Sequence, residues 1–524
     1  MQEPQVDPSF EALTPTAFLE RSSVVHRERP AVVDGDFRLT YGELHDRSLR
    51  LAGALRSRGV EDGDRVAALG ANAHLLLESH YGVPLAGAVL VALNVRLAAR
   101  ELGYILEHSG ARTLLCDPDL DQLAEEAVAA SGAQIDLIRS SDGLEQLLSE
   151  SSQFRHAVAD ERDLIALNYT SGTTGRPKGV MYHHRGAYLQ ALAMAYHTEL
   201  RPDSVFLWTL PMFHCNGWCF TWGVTAAGAT HLCLPKVDPE LIWDLIETEG
   251  VTHFNAAPTV LTSLAYHDRA AAREGVPIKV ATGGAPPSPT LLARLAELNM
   301  EVTHLYGLTE TFGPVAVCDW HPEWDELSAE EQAGLKARQG VPNVIAQSLR
   351  VIAEDGRDAP ADGETLGEVA ARGNDVMLGY YRDPEGTDEV MGDGWFRTGD
   401  LGVMHPDGYL ELRDRAKDVI ISGGENIASV EVEQALLSHP AVLEVAVIPI
   451  PDEKWGERPA AFVTLKPDAE ADAEELTGHA RERLAKFKVP SHFEFRDDLP
   501  KTSTGKIQKY VLRDEAWAGQ EHRE

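Results

Sequence analysis

The sequence predicts a large α/β protein built from more than one domain. Three observations predict it. The chain has 524 residues, more than one hydrophobic core at roughly 100–200 residues per domain. Short apolar runs alternate with amphipathic stretches, the rhythm of parallel strands joined by helices. Turn-rich β segments are then gathered in the last third of the chain.

The elements follow in order. Thr40-Tyr41-Gly42-Glu43 has capping-box spacing and opens an amphipathic helix that carries Leu49, Leu51 and Leu55. Gly59 breaks it, and Arg65–Leu69 is a short apolar strand. A helix around Arg100–His108 leads to a strand at Thr113–Cys116. Leu164–Leu167 is an apolar run that ends in a glycine-rich loop. Ile242–Ile246 reads as helix and Thr252–Ala256 as strand. From about residue 340 the turns Glu354-Asp355-Gly356, Asp362-Gly363, Asp393-Gly394 and Asp407-Gly408 separate short strands, the pattern of a small barrel or meander. A final module begins near Arg415: a helix over Val430–Ser438, strands over Val442–Ile450 and Ala460–Leu465, and a basic-tipped helix over Glu474–Phe487. It is large enough to be a small α+β domain. The expected division is therefore 1–414 and 415–524. No repeat of roughly 20–50 residues is visible.

Composition narrows the function. The net charge is −35, which disfavours nucleic acid and anionic membrane as partners. The balance is uneven: residues 481–510 carry eight Lys or Arg against four Asp or Glu. No run of ~18 apolar residues occurs, so no membrane insertion is expected. Cys116, Cys215, Cys219, Cys233 and Cys318 do not form a disulfide framework. Cys215 and Cys219 are spaced C-x3-C without a second pair at zinc spacing, and buried free thiols are the better reading. The N-terminus lacks a signal-peptide pattern, and the final EHRE is not a peroxisomal address. A cytoplasmic location is expected.

The strongest motif is Tyr169-Thr170-Ser171-Gly172-Thr173-Thr174-Gly175-Arg176-Pro177-Lys178-Gly179. Glycines let backbone N–H groups turn toward an anion, hydroxyls donate to phosphate oxygens, and Lys178 can neutralise one. It is not the Walker motif, because Lys178 follows Pro177 and precedes Gly179.

This loop resembles the phosphate loop of the adenylate-forming superfamily: acyl-CoA synthetases, luciferases and the adenylation domains of peptide synthetases. Further family motifs stand in order across nearly the whole chain. They are Gly283-Gly284-Ala285-Pro286, Tyr306-Gly307-Leu308-Thr309-Glu310-Thr311, Gly367-Glu368-Val369, Trp395-Phe396-Arg397-Thr398-Gly399-Asp400, Asp414-Arg415-Ala416-Lys417-Asp418 and Pro500-Lys501-Thr502-Ser503-Thr504-Gly505-Lys506. The resemblance implies a large N-terminal domain of stacked α/β subdomains plus a small β-barrel-like subdomain, and a small mobile α+β C-terminal domain. It also implies an AMP-forming reaction. A carboxylate and ATP give an acyl-adenylate and pyrophosphate, and the thiol of CoA then gives acyl-CoA and AMP.

Residue by residue, the resemblance assigns Thr170, Ser171, Gly172, Thr173, Thr174, Gly175 and Lys178 to the β- and γ-phosphates. Thr309 goes to the α-phosphate and Glu310 to Mg²⁺. Gly284, Ala285, Tyr306 and Gly307 go to the base. Asp400 and Arg415 go to the ribose, an ionised carboxylate having several acceptor sites. Lys506 is the expected catalytic lysine between carboxylate and α-phosphate. Lys417 is the hinge about which the C-terminal domain turns between half-reactions, bringing Ser422, Gly423 and Gly424 to line a CoA tunnel.

The acyl pocket is expected along Pro211–Trp222, with His214 flanking the acyl group, Trp218 and Trp222 capping it, and Gly283 beside it. Two indoles there point to a short- or medium-chain or compact aromatic acid. The segment is similar to the plant-type acyl-activating enzymes and bacterial methylthiopropionate ligases. It lacks the aspartate that amino-acid adenylation domains place here. The alternative is an adenylating enzyme whose second nucleophile is a carrier-protein thiol, an amine or nitrite. The expected partners are the carboxylate, ATP and CoA; a homodimer is compatible with this reading.

Overall fold

Every residue of Val89–Ala92, Thr113–Cys116 and His253–Ala256 is buried. Strands covered on both faces belong to parallel sheets sandwiched by helices, and that is how they sit. The computed structural model describes residues 9–517 except 142, 171–176, 285–286, 416–417, 423–424, 453, 468 and 503–505; the side chains of 289, 329, 330 and 426 also lie outside the description.

Among the described residues there are four sheets. The first has the order Asp136–Arg139, Thr113–Cys116, Arg65–Leu69, Val89–Ala92, Leu164–Thr170, Lys178–His183. It is parallel except for the last pair, an antiparallel hairpin that flanks the glycine-rich loop. The second runs from Val341–Pro342 through Gly313–Val317, Met300–Leu308, Ile278–Thr282, His253–Ala256, Val205–Leu207, Thr230–Leu232 and Pro30–Asp34 to Phe37–Thr40. Its centre is parallel and its edges antiparallel.

The helix His74–Leu85 is buried from Leu75 through Leu85. A helix without a polar face lies inside a large protein. Here it packs on Tyr41–Ser57 and Phe220–Ala227, and its one acid, Glu78, is paired with Arg47 at 2.6 Å. The Thr40–Glu43 capping box forms as expected.

The β-rich stretch is an antiparallel meander of Ala346–Ile352, Gly367–Gly373, Phe396–Met404 and Leu410–Arg415, the open one of the two expected forms. The smaller C-terminal domain is built on Glu425–Ile427, Ile420–Ser422, Gly456–Leu465, Val442–Asp452 and His492–Phe495. The helix expected over 474–487 is shorter, Ala473–Arg481. From Glu482 onward the chain turns, and Lys488 is drawn to Glu431 at 2.7 Å.

A polar contact ties the C-terminal domain to the meander strand that precedes it, and others brace the domain internally. Ser429 N donates to the Asp414 carboxylate. Lys509 pairs with Glu433 at 2.7 Å and donates to Ser429 Oγ at 2.6 Å. Arg513 pairs with Asp418.

Candidate active site

Ligands of open α/β sheets bind beyond the carboxyl ends of the strands. Four strands of the two parallel sheets deliver the motifs in this way. Leu164–Thr170 runs into the glycine-rich loop, Val205–Leu207 into Trp208–His214, Ile278–Thr282 into Gly283-Gly284, and Met300–Leu308 into the turn Thr309–Thr311. Thr170 and Lys178 pair across the hairpin. Ser171, Gly172, Thr173, Thr174, Gly175, Ala285, Lys417, Gly423 and Gly424 lie outside the described residues.

At one end of the site the Tyr306 hydroxyl donates to Asp400 Oδ2 at 2.8 Å, and Arg415 Nε stands 3.1 Å from Asp400 Oδ1. Asp400 and Arg415 face each other as cross-strand partners of the meander. This is a buried carboxylate held on both oxygens, with Arg415 as the charged partner. Gly307 is required by the fold: a Cβ there would sit 1.9 Å from the Gly313 carbonyl oxygen. Gly284 adopts φ +89, a left-handed geometry that glycine takes without strain, with open space at its Cβ position.

Lys506 is brought to the same place from the C-terminal domain. Its loop is closed by Thr502 N donating to Lys506 O at 2.7 Å and Lys506 N donating to Thr502 Oγ1 at 3.1 Å. Burial, then the Arg415 guanidinium, pull its ammonium pKa down to about 8. Burial and the Lys506 charge push the His214 imidazole down to about 4. His214 is therefore neutral at physiological pH and faces a lysine.

The segment after His214 is unusual. Cys215, Asn216, Gly217, Trp218 and Cys219 all have positive φ, between 51° and 62°. Left-handed geometry costs roughly 1–2 kcal/mol per non-glycine residue, so such a turn needs strong external support. It has it. Asn168 Nδ2 donates to Asn216 Oδ1 at 2.7 Å, and Thr221 Oγ1 to Asn216 O at 3.0 Å. Cys215 Sγ donates to Thr309 Oγ1 at 3.4 Å, and Cys219 Sγ to Phe312 O at 3.7 Å. Phe312 is itself left-handed, φ 58, and stacks on Tyr182 at 3.8 Å. The C-x3-C pair thus ties two strained turns together. All five cysteines are free and buried, as expected.

The turn sets Trp218 against Gly283 and Gly313: a Cβ on either glycine would lie 3.1 Å from the Trp218 side chain. Trp222 does not join it, which corrects the pairing expected from sequence. Trp222 lies in the helix Phe220–Ala227, fully buried, with its indole N–H donating to His80 O at 3.1 Å and its ring edge-on to His80. The left-handed run through Cys219 sets one indole beside Gly283 and Gly313 and the other against His80.

Glu310 is held by two hydrogen bonds, and the residue before it by a third. Tyr380 Oη donates to Glu310 Oε1 at 2.8 Å, Met377 N donates to Glu310 O at 2.8 Å, and Tyr182 Oη donates to Thr309 O at 2.6 Å. Burial raises the Glu310 carboxyl pKa. Lys178 Nζ sits 4.5 Å over the Tyr380 ring and 3.3 Å from Asp383 Oδ2. Tyr380 and Tyr182 were not found from the sequence: tyrosines in hydrophobic runs carry no sign of what their hydroxyls reach. Ser422 is buried in the C-terminal sheet and pairs with Glu425 and Gly456. No cluster of three or more His, Cys, Asp or Glu able to cage a metal occurs among the described residues.

Comparison with known proteins places the chain in a family. The AMP-binding enzyme family matches residues 19–381, and the AMP-binding enzyme C-terminal domain matches 431–506. The peroxisomal acetate/butyrate–CoA ligase AAE7 of Arabidopsis thaliana is 42% identical over 547 residues, covering 98% of this chain and 96% of that protein. The 4-hydroxybutyrate–CoA ligase 2 of Metallosphaera sedula is 44% identical over 536 residues, covering 98% and 97%. Among solved structures, ATP-bound MatB from Rhodopseudomonas palustris superposes with a TM-score of 0.84 at 29% identity, covering 96% of this chain and 98% of that one.

Proposed function

The chain belongs to the AMP-binding enzyme family and is an AMP-forming acid–CoA ligase, and on that premise we propose that its acid is a short-chain aliphatic carboxylate. One observation carries the choice: the bulky Trp218 indole stands beside Gly283 and Gly313 in the segment that begins at His214, where it would shorten the space for an acyl chain. Relatives named for acetate, butyrate and 4-hydroxybutyrate support it.

The reaction must bring an anionic carboxylate to a polyanionic triphosphate. Such chemistry is mainly positioning plus electrostatic stabilisation. Asp400 and Arg415 would hold the ribose, with Tyr306 fixing the Asp400 carboxylate and offering its ring to the base. Gly284 and Gly307 would let backbone approach that base. Lys178 and the loop it closes would hold the β- and γ-phosphates. The Thr309 hydroxyl accepts from Cys215, so its own proton is free to point at the α-phosphate. Lys506 would neutralise charge between carboxylate oxygen and phosphorus as that bond forms and pyrophosphate leaves. Neutral His214 would flank the acyl group without drawing the carboxylate into a competing ion pair. Mg²⁺ fits the donor set: one partly buried carboxylate, Glu310, with phosphate oxygens and waters completing a hard oxygen shell. Bound there, it would supply charge neutralisation on the phosphates.

For the second half, the C-terminal domain would turn about Lys417, removing Lys506 and bringing the loop of Ser422, Gly423 and Gly424 to the acyl-adenylate for CoA. Domain closure of this kind is a recurrent gating device. The boundary 414/415 and a cytoplasmic, reducing compartment belong to the same reading, the latter supported by five buried free thiols. A homodimer does too: exposed Leu192, Tyr196 and Val344 supply apolar surface, and light scattering decides it.

The test is pyrophosphate release over a graded series of carboxylic acids, with and without CoA, and mass measurement of the products. Acetate to pentanoate should give CoA thioesters at the highest kcat/KM. Equal turnover of hexadecanoate, or a preference for benzoate, would overturn the assignment of the acid.

A further inference from the structure

Two elements of the nucleotide site reach it from different parts of the chain. Lys178 closes the glycine-rich loop, and Glu310 lies 132 positions later in the 3-10 turn after Met300–Leu308. Both meet on one side chain. The Tyr380 hydroxyl donates to Glu310 Oε1 at 2.8 Å, while the Lys178 ammonium sits 4.5 Å over the face of the same ring.

Tyr380 is itself firmly placed. Its backbone N–H donates to Thr387 Oγ1 at 2.9 Å. The segment around it runs alongside the strand Lys178–His183: Tyr381 N donates to Gly179 O at 2.7 Å, Met181 N to Gly379 O at 3.0 Å, and Leu378 N to Met181 O at 3.1 Å. Asp383, which takes the second side of Lys178 at 3.3 Å, caps the helix Pro384–Met391 through Gly386 N at 2.9 Å. Even Gly386 is packed in: a Cβ there would lie 2.8 Å from Lys178 Nζ.

We propose that Tyr380 is a positioning residue of the ATP site, its hydroxyl orienting the Glu310 carboxylate and its ring shelving Lys178. The proposal rests on the reading of Glu310 as the metal acid and Lys178 as a phosphate lysine. A phenol donates to one carboxylate oxygen and leaves the other lone pairs to a hard cation. A hydrogen bond to a charged group is stronger than one between neutral groups. A cation on a ring face contributes less at an exposed site, enough to hold the lysine in place but not to outbid a triphosphate.

The two functions separate by substitution. Tyr380→Phe removes the hydroxyl and keeps the ring, whereas Tyr380→Leu removes both. Mn²⁺ binding is measured by electron paramagnetic resonance in the presence of a non-hydrolysable ATP analogue. Analogue binding without metal is measured by calorimetry in EDTA. Glu310→Gln is the control, and melting curves confirm that each variant is folded. Both Tyr380 variants should lose Mn²⁺ affinity roughly tenfold. Metal-free analogue affinity should be unchanged in Tyr380→Phe and severalfold weaker in Tyr380→Leu. Wild-type Mn²⁺ affinity in Tyr380→Phe, with affinity lost in Glu310→Gln, overturns the positioning role alone. Wild-type Mn²⁺ affinity in Glu310→Gln overturns the metal reading and the role built on it.

Discussion

Cys215 donates its thiol hydrogen to the Thr309 hydroxyl across 3.4 Å. One residue belongs to the left-handed turn after His214, the other to the turn after Met300–Leu308, and the bond registers one against the other. Its thiol pKa is pushed up to about 12 by burial, so the group stays protonated and remains a donor. Cys215→Val, similar in shape but without a donor, should lower the adenylation kcat roughly two- to fivefold, the range of a weak hydrogen bond. Cys215→Ser should retain it, and the KM for ATP should move little. ATP–pyrophosphate exchange reads both constants; equal behaviour of the two variants would show that the donor does not matter.

Lys506 gives a pH dependence with a definite sign. With its pKa at about 8, the lysine is charged below that pH and neutral above it. The kcat/KM of adenylation, which reports the free enzyme, should fall as pH rises through about 8. Lys506→Arg stays charged and should lack that limb. Stability runs the other way. The folded-state pKa lies below the usual lysine value, so between about 8 and 10.5 the unfolded chain binds more protons and native stability rises with pH. Denaturant titration at three pH values should show this slope flattened in Lys506→Met.

Lys506→Ala should also split the half-reactions. Adenylation should be lost, while thioester formation from a supplied acyl-adenylate and CoA persists. Equal loss of both steps would contradict the exchange of Lys506 for the 421–427 loop.

The two indoles should respond differently. Trp218→Ala removes the side chain set beside Gly283 and Gly313, and the ratio of hexanoate to butyrate kcat/KM should rise by an order of magnitude. Trp222→Ala removes a fully buried core side chain and should cost about 3–5 kcal/mol of stability, the usual range for such truncations, with little change in that ratio. Denaturation midpoints and the acid series are read on the same preparations.

Asp400, held by Tyr306 and Arg415, should govern ribose recognition. Wild type should discriminate ATP from 2′-deoxy-ATP, and Asp400→Asn should lose most of that discrimination. Tyr306→Phe leaves a buried carboxylate without one donor and should raise the KM for ATP roughly tenfold. An unchanged deoxynucleotide ratio in Asp400→Asn would remove the ribose role.

The chemistry-bearing positions were legible as motifs. Thr309, Glu310, Asp400, Arg415 and Lys506 occur in short strings whose residue types suit phosphate, ribose and carboxylate, and alternating apolar runs announced the parallel sheets. Strand positions such as Thr113–Cys116 were readable because burial on both faces demands an unbroken apolar run. What could not be read was which way a side chain faces after the chain turns. Trp218 and Trp222 stand four residues apart and would share one face of an ordinary helix. Five consecutive left-handed residues lie around them and send one toward Gly283 and Gly313 and the other toward His80.

The sequence by itself therefore determined the α/β class, the separate C-terminal module and the free state of the cysteines. The first two depend on periodicity, the third on cysteine number and spacing, while the phosphate and ribose residues were named through the family resemblance. Only the tertiary structure decided that Tyr380 joins Lys178 to Glu310, that Cys215 and Cys219 lace the turn after His214 to the turn at Thr309–Phe312, and that Lys506 faces His214. Each of these is a contact between segments far apart in the chain. Such a contact exists only once packed sheets have set the directions of side chains that local pattern leaves free.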